Sequence, residues 1–369
     1  MAQVPMINIL EAALRHGYAV GAFNVHTPHE AAAVIRIHEQ LRAPAIIQLI
    51  QPSAGFMGGR EDFMNATPGE MRCGISRFCR LVRPMMEQAS IPVALNLDHG
   101  NDPETAKICV DNGFSAVMID GSHLSFEGNA ALTKQISDYA HRKGVTVEAE
   151  LGVLAGREDH TGQSREIYTD PSRVCEFFET SGADCLALSY GTLHGPAKGG
   201  SLKIRKEIAI AAFENMRFNG KIRPLVSHGS SLVRPDIISE INARGGNLQN
   251  ASGVPLAQLL EVIPYGIAKI NIGTDIRLSI LRSLREYFDL TPKARTSGIT
   301  ASVWERMCLE PGCIDERRLL APIQQALIEY RDTEESRPLT ALVEQAVGET
   351  AGELLVHFGQ AGMAGTVIF

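Results

Sequence analysis

Eight short apolar runs within the first 280 residues constrain the fold of this chain more than any other feature. Each run is almost continuously apolar, as expected for a parallel strand that is covered on both faces. The segments between them carry apolar residues at helical spacing, for example in residues 29–42 and 129–144. The runs occupy residues 18–25, 44–50, 92–98, 115–120, 145–151, 184–191, 223–229 and 267–273.

Eight strands that alternate with helices predict an α/β fold, a (β/α)8 TIM barrel, over residues 1–285. The structural alternative is a doubly wound open sheet. That fold requires a glycine-rich fingerprint directly after its first strand, and the segment "GAFNVHTPHE" lacks one. From about Leu290 the chain shows helical segments and no obvious strand. We therefore expect residues 286–369 to form a helical C-terminal extension that packs on the barrel and offers a contact surface between subunits.

Charge and cysteine content exclude several classes of protein. The chain has 35 basic and 42 acidic residues and no long basic run, so neither nucleic acid nor a membrane surface is an expected partner. Its seven cysteines form no C-x-x-C pair, and their odd number is typical of a reducing compartment. No signal-peptide pattern is visible, and no apolar run reaches the roughly 18 residues of a membrane span. These features predict a soluble cytoplasmic protein.

Three histidines follow separate strands of the predicted barrel. His99, His194 and His228 come at the ends of the third, sixth and seventh runs. Chemistry in this fold takes place at the carboxyl ends of the strands, where these side chains would meet. Taken one at a time, each is more often an ordinary loop residue. Together they predict a catalytic zinc site, because three neutral imidazoles leave further positions open for water or substrate.

Carboxylates and an amide stand at the same predicted rim. Asn24 ends the first run, Asp98 precedes His99, and Asp120 ends the fourth run. Glu148 and Glu150 are two residues apart on the fifth strand, so both point to one face. Two inward carboxylates are costly without a cation or a partner. Glu150 and Asp120 could therefore form a second metal position or hold a ligand histidine by a hydrogen bond.

Glycines and hydroxyl groups in the last loops indicate an anion site. Gly195, Gly229 and Gly273 would let backbone N–H groups approach a phosphate, and a phosphate site in these loops recurs in TIM barrels. The alternative is that the glycines serve turns only. The fifth loop turns polar after Gly156, and it could close over a substrate and deliver a base, or be a solvated charged loop. Further donors to the anion would be Lys198, Ser231 and Thr274.

These segments resemble those of class II, zinc-dependent ketose-bisphosphate aldolases, of which fructose-1,6-bisphosphate aldolase is the best-known kind. The matching motifs are "GAFNV", "LDHG", "VEAELG", "GREDH", "GTLHGPAK", "LVSHGSS" and "KINIGTDIR". They occur in the family's order between about Gly17 and Arg277, and the chain is most similar to the longer form found in Calvin-cycle organisms. A specific match of this kind implies a metal-dependent aldolase.

The resemblance implies a role for each matching residue. Asp98 would move a proton to and from the C4 hydroxyl, and Glu158 would do the same at C1. Arg277 would meet the far phosphate. The zinc ligands would be His99, His194 and His228, with Glu150 close to the metal and Asp120 at an alternative metal position. The phosphate of the dihydroxyacetone phosphate half would contact Gly195, Lys198, Gly229, Ser231, Asn271 and Thr274.

Three positions depart from the family pattern. Gly273 stands where fructose-bisphosphate aldolases usually have an aspartate near the substrate, and tagatose-type relatives also have a small residue there. Ile50 stands in place of a serine that faces the active site, and Tyr190 in place of a small aliphatic residue. None removes a metal ligand, so the departures concern the choice of substrate more than the reaction.

The leading hypothesis is a zinc-dependent aldolase that releases dihydroxyacetone phosphate from a ketose 1-phosphate or 1,6-bisphosphate. Fructose 1,6-bisphosphate is the first expected substrate and tagatose 1,6-bisphosphate the second. Another divalent metal could replace zinc, and a monovalent cation could sit near the phosphate. Two other hypotheses are a non-catalytic barrel that binds sugar phosphates and a metal-dependent hydrolase. Relatives form homodimers or homotetramers, and we expect one of these.

Overall fold

The computed structural model describes residues 3–154, 156, 166–195 and 202–368. Eight parallel strands close into a barrel in which each strand pairs with the next and the last pairs with the first. This confirms the predicted (β/α)8 barrel, and the doubly wound alternative is wrong. The strands are β1 (Val20–Asn24), β2 (Ala45–Ile50), β3 (Val93–Gly100), β4 (Ala116–Ile119), β5 (Thr146–Leu151), β6 (Cys185–Leu188), β7 (Leu225–Ser227) and β8 (Ile267–Ile272).

Helices surround the barrel, and several begin at residues that cap them. Thr67 and Glu70 form a reciprocal capping box at the start of α4, and Asp102 accepts a hydrogen bond from the N–H of Thr105 at the start of α5. Gly182 ends α7 in the left-handed conformation. The helices of the barrel region are α1 (Met6–His16), α2 (Pro28–Gln40), α3 (Gln51–Met57), α4 (Pro68–Gln88), α5 (Pro103–Asp111), α6 (Phe126–Ala140), α7 (Val174–Ser181), α8 (Lys206–Phe218), α9 (Pro235–Ala243), α10 (Leu256–Val262) and α11 (Thr274–Leu290).

The core has two parts, one on each side of the strands. Outside the barrel, the strands and helices bury a large apolar cluster. Inside, small apolar residues such as Ala22 and Ala94 fill the lower layer, against which α1 packs. Nearer the catalytic end the interior turns polar: Gln48, Glu148 and Lys269 are all fully buried. Because buried polar groups are costly unless paired, this layer must be held by hydrogen bonds and ion pairs.

The C-terminal segment is helical in its described part, as predicted, and it packs on the barrel. The predicted boundary between the barrel and the extension, at residues 285 and 286, falls inside helix α11. That boundary stays a prediction. The last long helix packs against α2 and α11. Beyond it, the side chain of Gln360 accepts a hydrogen bond from Gly21 N–H (2.8 Å) and donates one to Pro44 C=O (2.6 Å). The helices are α12 (Gly298–Leu309), α13 (Glu316–Leu319), α14 (Gln324–Glu329) and α15 (Arg337–His357).

Over the part of the chain that the structure describes, no helix combines the length and the apolar character needed to cross a bilayer.

The buried His38 of α2 predicts a pH dependence of stability. Burial lowers its pKa to about 4, while its Nδ1 lies 2.7 Å from the Val34 carbonyl oxygen. His38 therefore takes up a proton near pH 6.5 in the unfolded chain but only near pH 4 in the folded chain. The free energy of unfolding consequently falls as the pH drops from about 6.5 to 4. In the unaltered protein this fall in the free energy of unfolding should be about 3 kcal/mol, and His38→Gln should abolish it. Urea unfolding of metal-free protein across this pH range measures both. The exposed His141 offers a matched control, and an unchanged pH slope in His38→Gln would refute the assignment.

Candidate active site

The three predicted histidines converge at the carboxyl end of the barrel. His99 lies at the end of β3, and His194 and His228 lie in the loops after β6 and β7. All three are buried, and one ring nitrogen from each lies within 4.8 Å of the others. His228 Nδ1 and His99 Nε2 are only 3.0 Å apart. Two such nitrogens cannot both present lone pairs at this distance without a proton or a cation between them.

A bulge in β3 places Asp98 and His99 in the same cleft. Successive side chains of a regular strand point to opposite faces, so neighbours should not share a site. Between Leu97 and Gly100 the pairing with β4 shifts by one residue, and His99 has a φ of 46°. The extra residue and the left-handed backbone turn the imidazole inward beside the carboxylate, and both side chains line the cleft.

A buried ion pair orients His228. Its Nε2 lies 2.7 Å from Glu148 Oε1, and Glu148 Oε2 accepts from Lys269 Nζ at 2.7 Å. Burial raises the pKa of Glu148, but the charge of Lys269 and the bond to His228 outweigh it and lower the pKa to about 2. Burial lowers the pKa of His228, against the effect of Glu148. A neutral imidazole that donates from Nε2 leaves the Nδ1 lone pair for a metal.

Asp120 orients His99 in the same way. Its Oδ2 lies 3.3 Å from His99 Nδ1, so His99 Nε2 faces the other imidazoles. Burial would lower the pKa of His99, but the charges of Asp98 and Asp120 outweigh it and raise the pKa to about 10. The surroundings of His99 therefore favour a positive charge at this position. A metal ion would supply that charge in place of a proton.

Glu150 leaves an unsatisfied oxygen beside the histidines. Its buried Oε2 has no hydrogen-bond partner among the described residues and lies 3.6 Å from His228 Nδ1. Burial, and then the charge of Asp120, raise the pKa of Glu150 well above its usual range. Ligand atoms of His99, Asp120 and Glu150 also lie within 4.8 Å of one another. An orphaned carboxylate oxygen beside three imidazole nitrogens is a donor set that fits a divalent cation.

Amide groups hold the carboxylate of Asp98 in a fixed orientation. Its Oδ2 accepts from Asn24 Nδ2 (3.1 Å) and its Oδ1 from Asn271 Nδ2 (2.9 Å). Asn24 in turn accepts from Gln48, which accepts from Asn96. These bonds fix the carboxylate of Asp98 beside the histidine cluster, and its role in moving protons stays a prediction.

Part of the predicted anion site lines the same cleft. Gly229 has a φ of 60°, and a Cβ there would come within 2.6 Å of the backbone of Leu193, so only glycine fits. Asp275 accepts from the N–H groups of Leu232 (2.7 Å) and Val233 (2.8 Å) and so shapes the loop after β7. The predicted residues that line the cleft are Asn24, Asp98, His99, His194, Gly229, Ser231, Asn271 and Gly273.

Some predicted residues lie elsewhere. Arg277 is buried outside the cleft lining, with its guanidinium 3.3 Å from His26 Nε2. Thr274 is buried at the start of α11, and Gly195 follows His194 with a φ of 79°. Glu158 and Lys198 lie outside the described residues.

The chain matches one protein family over almost its whole length. The sequence profile of the family described as fructose-bisphosphate aldolase class-II matches residues 4–363. The chain belongs to the class II fructose-bisphosphate aldolase family. The fructose-bisphosphate aldolase of Thermus caldophilus is 35% identical over 289 residues, 78% of this chain and 88% of that protein. That of Geobacillus stearothermophilus is 32% identical over 329 residues, 89% of this chain and 93% of that protein.

Solved structures share the architecture of this class II aldolase. The YdjI aldolase of Escherichia coli K12 has a TM-score of 0.67 and 25% identity, covering 98% of this chain and 99% of that one. The fructose-bisphosphate aldolase of Campylobacter jejuni has a TM-score of 0.70 at 19% identity, covering 98% of this chain and 97% of that one, which shows the shared fold. Membership makes this chain an aldolase, a carbon–carbon lyase of a metal-dependent family.

The sequence pattern did not predict two residues that orient His228 in this aldolase site, Glu148 and Lys269. Glu148 was recognised only as an inward carboxylate, and its partner Lys269 received no role. The signal was present, because Lys269 and Asn271 are two residues apart on β8 and therefore share the inward face. A lysine inside an apolar run predicts a buried counter-charge, and Glu148 is the carboxylate on the opposite side of the barrel that it meets.

Asp120→Asn tests the orientation of His99. The substitution keeps the shape of the side chain but removes the charge that holds Nδ1, so we expect the affinity for the catalytic metal to fall by about 10- to 100-fold. Competition titration with a chelator measures this affinity directly. Asp138→Asn, on the exposed side of α6, is the matched control. An affinity equal to that of the unaltered protein would contradict this role of Asp120.

Proposed function

We propose that this aldolase uses zinc to cleave the C3–C4 bond of a ketose phosphate reversibly, releasing dihydroxyacetone phosphate and an aldehyde. The observation that carries the proposal is the convergence of His99, His194 and His228 beside the fixed carboxylate of Asp98. Fructose 1,6-bisphosphate is the first substrate to test, since it is the substrate named for the family and for the relatives at 35% and 32% identity.

The three imidazoles would hold the zinc ion, with Glu150 close to it. When bound, zinc supplies Lewis acidity that stabilises negative charge on the oxygens of the substrate. Three histidines are a donor set that catalytic zinc accepts, and another divalent metal remains the alternative. Carboxylates at Glu148 and Asp120 support the proposal, because each fixes the ring orientation of one histidine.

Asp98 is proposed to accept the proton of the C4 hydroxyl as the C3–C4 bond breaks. The electron pair of that bond stays with the three-carbon phosphate half, and a proton returns to it before release. Asp98 suits the first step, because its position beside the histidine cluster is set by two amide donors. Glu158 is proposed for the proton at C1 on the basis of the family motif.

The loops after β6, β7 and β8 are proposed to bind the phosphate of the dihydroxyacetone phosphate half. Gly229 and Ser231 line the cleft, and Thr274 opens the 17-residue helix α11, whose N-terminus favours an anion. We propose that the same phosphate also contacts Gly195, Asn271 and Lys198. A monovalent cation beside the phosphate is a further expectation.

Metal content and turnover test the proposed function directly. Purified protein should contain about one zinc ion per chain and release dihydroxyacetone phosphate from fructose 1,6-bisphosphate, detected with a coupled dehydrogenase. Removal of the metal should abolish turnover, and added zinc should restore it. Full activity in thoroughly metal-free protein would refute the proposal. If sugar phosphate binds and no cleavage occurs, the non-catalytic barrel is the better description, and phosphate release in place of an aldehyde would indicate a hydrolase.

Tagatose 1,6-bisphosphate is the second candidate substrate, because the cleft wall carries Gly273 with no side chain. The same assay with both sugars compares them. We also propose a cytoplasmic protein, supported by seven free cysteines, and a homodimer or homotetramer.

A further inference from the structure

Three buried hydroxyl groups join the segment after β6 to the loop after β7. Tyr190 follows the end of β6 by two residues, Ser227 ends β7, and Ser230 borders the cleft. All three residues are fully buried. The Tyr190 hydroxyl is hydrogen-bonded to Ser227 Oγ, which lies 2.6 Å from Ser230 Oγ. We call these three side chains the hydroxyl line.

A carbonyl at the end of the hydroxyl line fixes the direction of its hydrogen bonds. Ser230 Oγ lies 3.2 Å from the carbonyl oxygen of His228, and a carbonyl oxygen can only accept. Ser230 therefore donates its single proton to His228 and accepts from Ser227. Ser227 has then used its own proton and accepts from Tyr190. Burial raises the pKa of the Tyr190 phenol, so the first donor of the line keeps its proton.

The last bond of the hydroxyl line orients a peptide unit of the proposed phosphate site. A trans peptide unit is planar, and its C=O and N–H point in opposite directions. The His228 carbonyl that accepts from Ser230 belongs to the same unit as the N–H of Gly229. A bond that holds this carbonyl therefore also sets the direction of the Gly229 N–H.

The strand that carries this peptide gives it little support. β7 is only three residues long, and its pairing with β8 shifts between Leu225 and Val226. Directly after the strand, the chain turns at Gly229 with a φ of 60°. A short, irregular strand offers few backbone hydrogen bonds to its loop, so a bond from a neighbouring element has a large influence on the loop.

Tyr190 is well placed to supply that bond, because its own backbone is fixed. Its carbonyl accepts from the N–H of Arg205 (2.7 Å), and the N–H of Gly191 donates to Glu166 Oε1 (3.0 Å). The small aliphatic side chain that is usual at this position in the family has no hydroxyl to donate. The departure at Tyr190 therefore creates the first donor of the hydroxyl line.

We infer that Tyr190 is a positioning residue for substrate binding, which holds the His228–Gly229 peptide, through Ser227 and Ser230, in the orientation that receives the phosphate. This inference rests on the proposed function, in which the loop after β7 contacts the phosphate of the dihydroxyacetone phosphate half.

The hydroxyl line acts on the backbone of His228 and not on its ring. Glu148 orients the ring separately, since its Oε1 lies 2.7 Å from His228 Nε2. Loss of the line should therefore weaken the affinity for a phosphate more than the affinity for the metal. This separation distinguishes a positioning role from a general contribution to stability.

Tyr190→Phe tests this role, because it keeps the buried ring and removes only the hydroxyl. With zinc-loaded protein and fructose 1,6-bisphosphate, we expect KM to rise by about fivefold or more, as for one lost hydrogen bond. The dissociation constant of dihydroxyacetone phosphate, measured by isothermal titration calorimetry, should rise by the same factor. Both kcat and the zinc affinity should stay close to those of the unaltered protein.

Tyr139→Phe is the matched control, since its hydroxyl donates to Asp111 (2.6 Å) on the outside of the barrel. It should leave KM and the dissociation constant unchanged. A purely structural role of Tyr190 would lower the melting temperature and the active fraction, and would leave KM as it is. Unchanged KM in folded Tyr190→Phe would overturn the inference, and so would a loss of zinc affinity as large as the rise in KM.

Ser230→Ala removes the donor to the His228 carbonyl directly. Because both residues act through one line, Tyr190→Phe should raise KM by less than about twofold when Ser230 is already alanine. Effects that multiply would show that Tyr190 acts by another route. If Tyr190→Phe does not fold, Ser227→Ala interrupts the line at its middle and is judged by the same measurements.

The binding measurement keeps this inference separate from the proposed function. If the unaltered protein binds dihydroxyacetone phosphate but cleaves no ketose phosphate, the proposed function fails, and the dissociation constants of the variants still decide the role of Tyr190. If the unaltered zinc-loaded protein does not bind dihydroxyacetone phosphate, both the proposed function and the inference fail.

Discussion

Replacement of Asp98 by asparagine is expected to lower kcat by about 10²- to 10⁴-fold while zinc stays bound. Asparagine keeps the size of the side chain but loses the ability to accept a proton, and general acid–base catalysis contributes an effect of this order. The substitution leaves the three proposed histidine ligands in place, and Asn24 and Asn271 are the residues bonded to the Asp98 carboxylate. Steady-state kinetics and metal analysis of the same preparation measure the two properties separately.

Asp111→Asn is the matched control for this substitution, since Asp111 lies on the exposed end of α5 and pairs with Lys143. It should leave kcat unchanged. Turnover by Asp98→Asn near that of the unaltered protein would remove Asp98 from the proton-transfer step. Loss of zinc from Asp98→Asn would instead assign the residue to the metal site.

Replacement of His228 by alanine is expected to weaken zinc binding by at least about 100-fold and to abolish turnover at ordinary zinc concentrations. The change removes one of the three proposed nitrogen ligands, which should cost more than the 10- to 100-fold loss typical of an orienting residue. It also leaves the fully buried Glu148 without its imidazole partner, so the protein should melt at a lower temperature. Metal titration and calorimetry measure the two effects.

His141→Ala supplies the comparison for His228, because His141 is an exposed histidine with a carboxylate partner, Asp184, outside the site. Its zinc affinity and turnover should match those of the unaltered protein. Stoichiometric, tight zinc in His228→Ala would show that the catalytic metal is held by other residues.

The architecture followed from the sequence because parallel strands covered on both faces leave continuous apolar runs. All eight runs contain a strand, and the ends of the runs place His99, His194 and His228 at one rim without knowledge of any contact. The strand ends shift by up to three residues. The third run predicts an end at Asp98, whereas β3 continues to Gly100.

Contacts between distant segments could not be predicted in this way. Periodicity reports which face a residue shares, but not which residue it meets, so the pairing of Lys269 with Glu148 across the barrel stayed hidden. Arg277 contacts His26, which lies 3.5 Å from Glu316 of a helix in the C-terminal segment that has no motif of its own. The family resemblance predicted Arg277 near the far phosphate, whereas the structure buries it with its guanidinium 3.3 Å from His26 Nε2.

The bulge at the end of β3 changes which kinds of mutation this aldolase can tolerate. Most sites respond chiefly to the identity of a side chain, but the pairing of Asp98 with His99 depends on the number of residues between Leu97 and Gly100. Only Asp98 and His99 lie between these two positions, so deletion of either would restore a regular strand and leave one polar side chain where the cleft now has two. For the same reason, transfer of an Asp-His pair to the end of another barrel strand would require the extra residue and its left-handed backbone to be transferred as well. The length of the strand is therefore part of the active site.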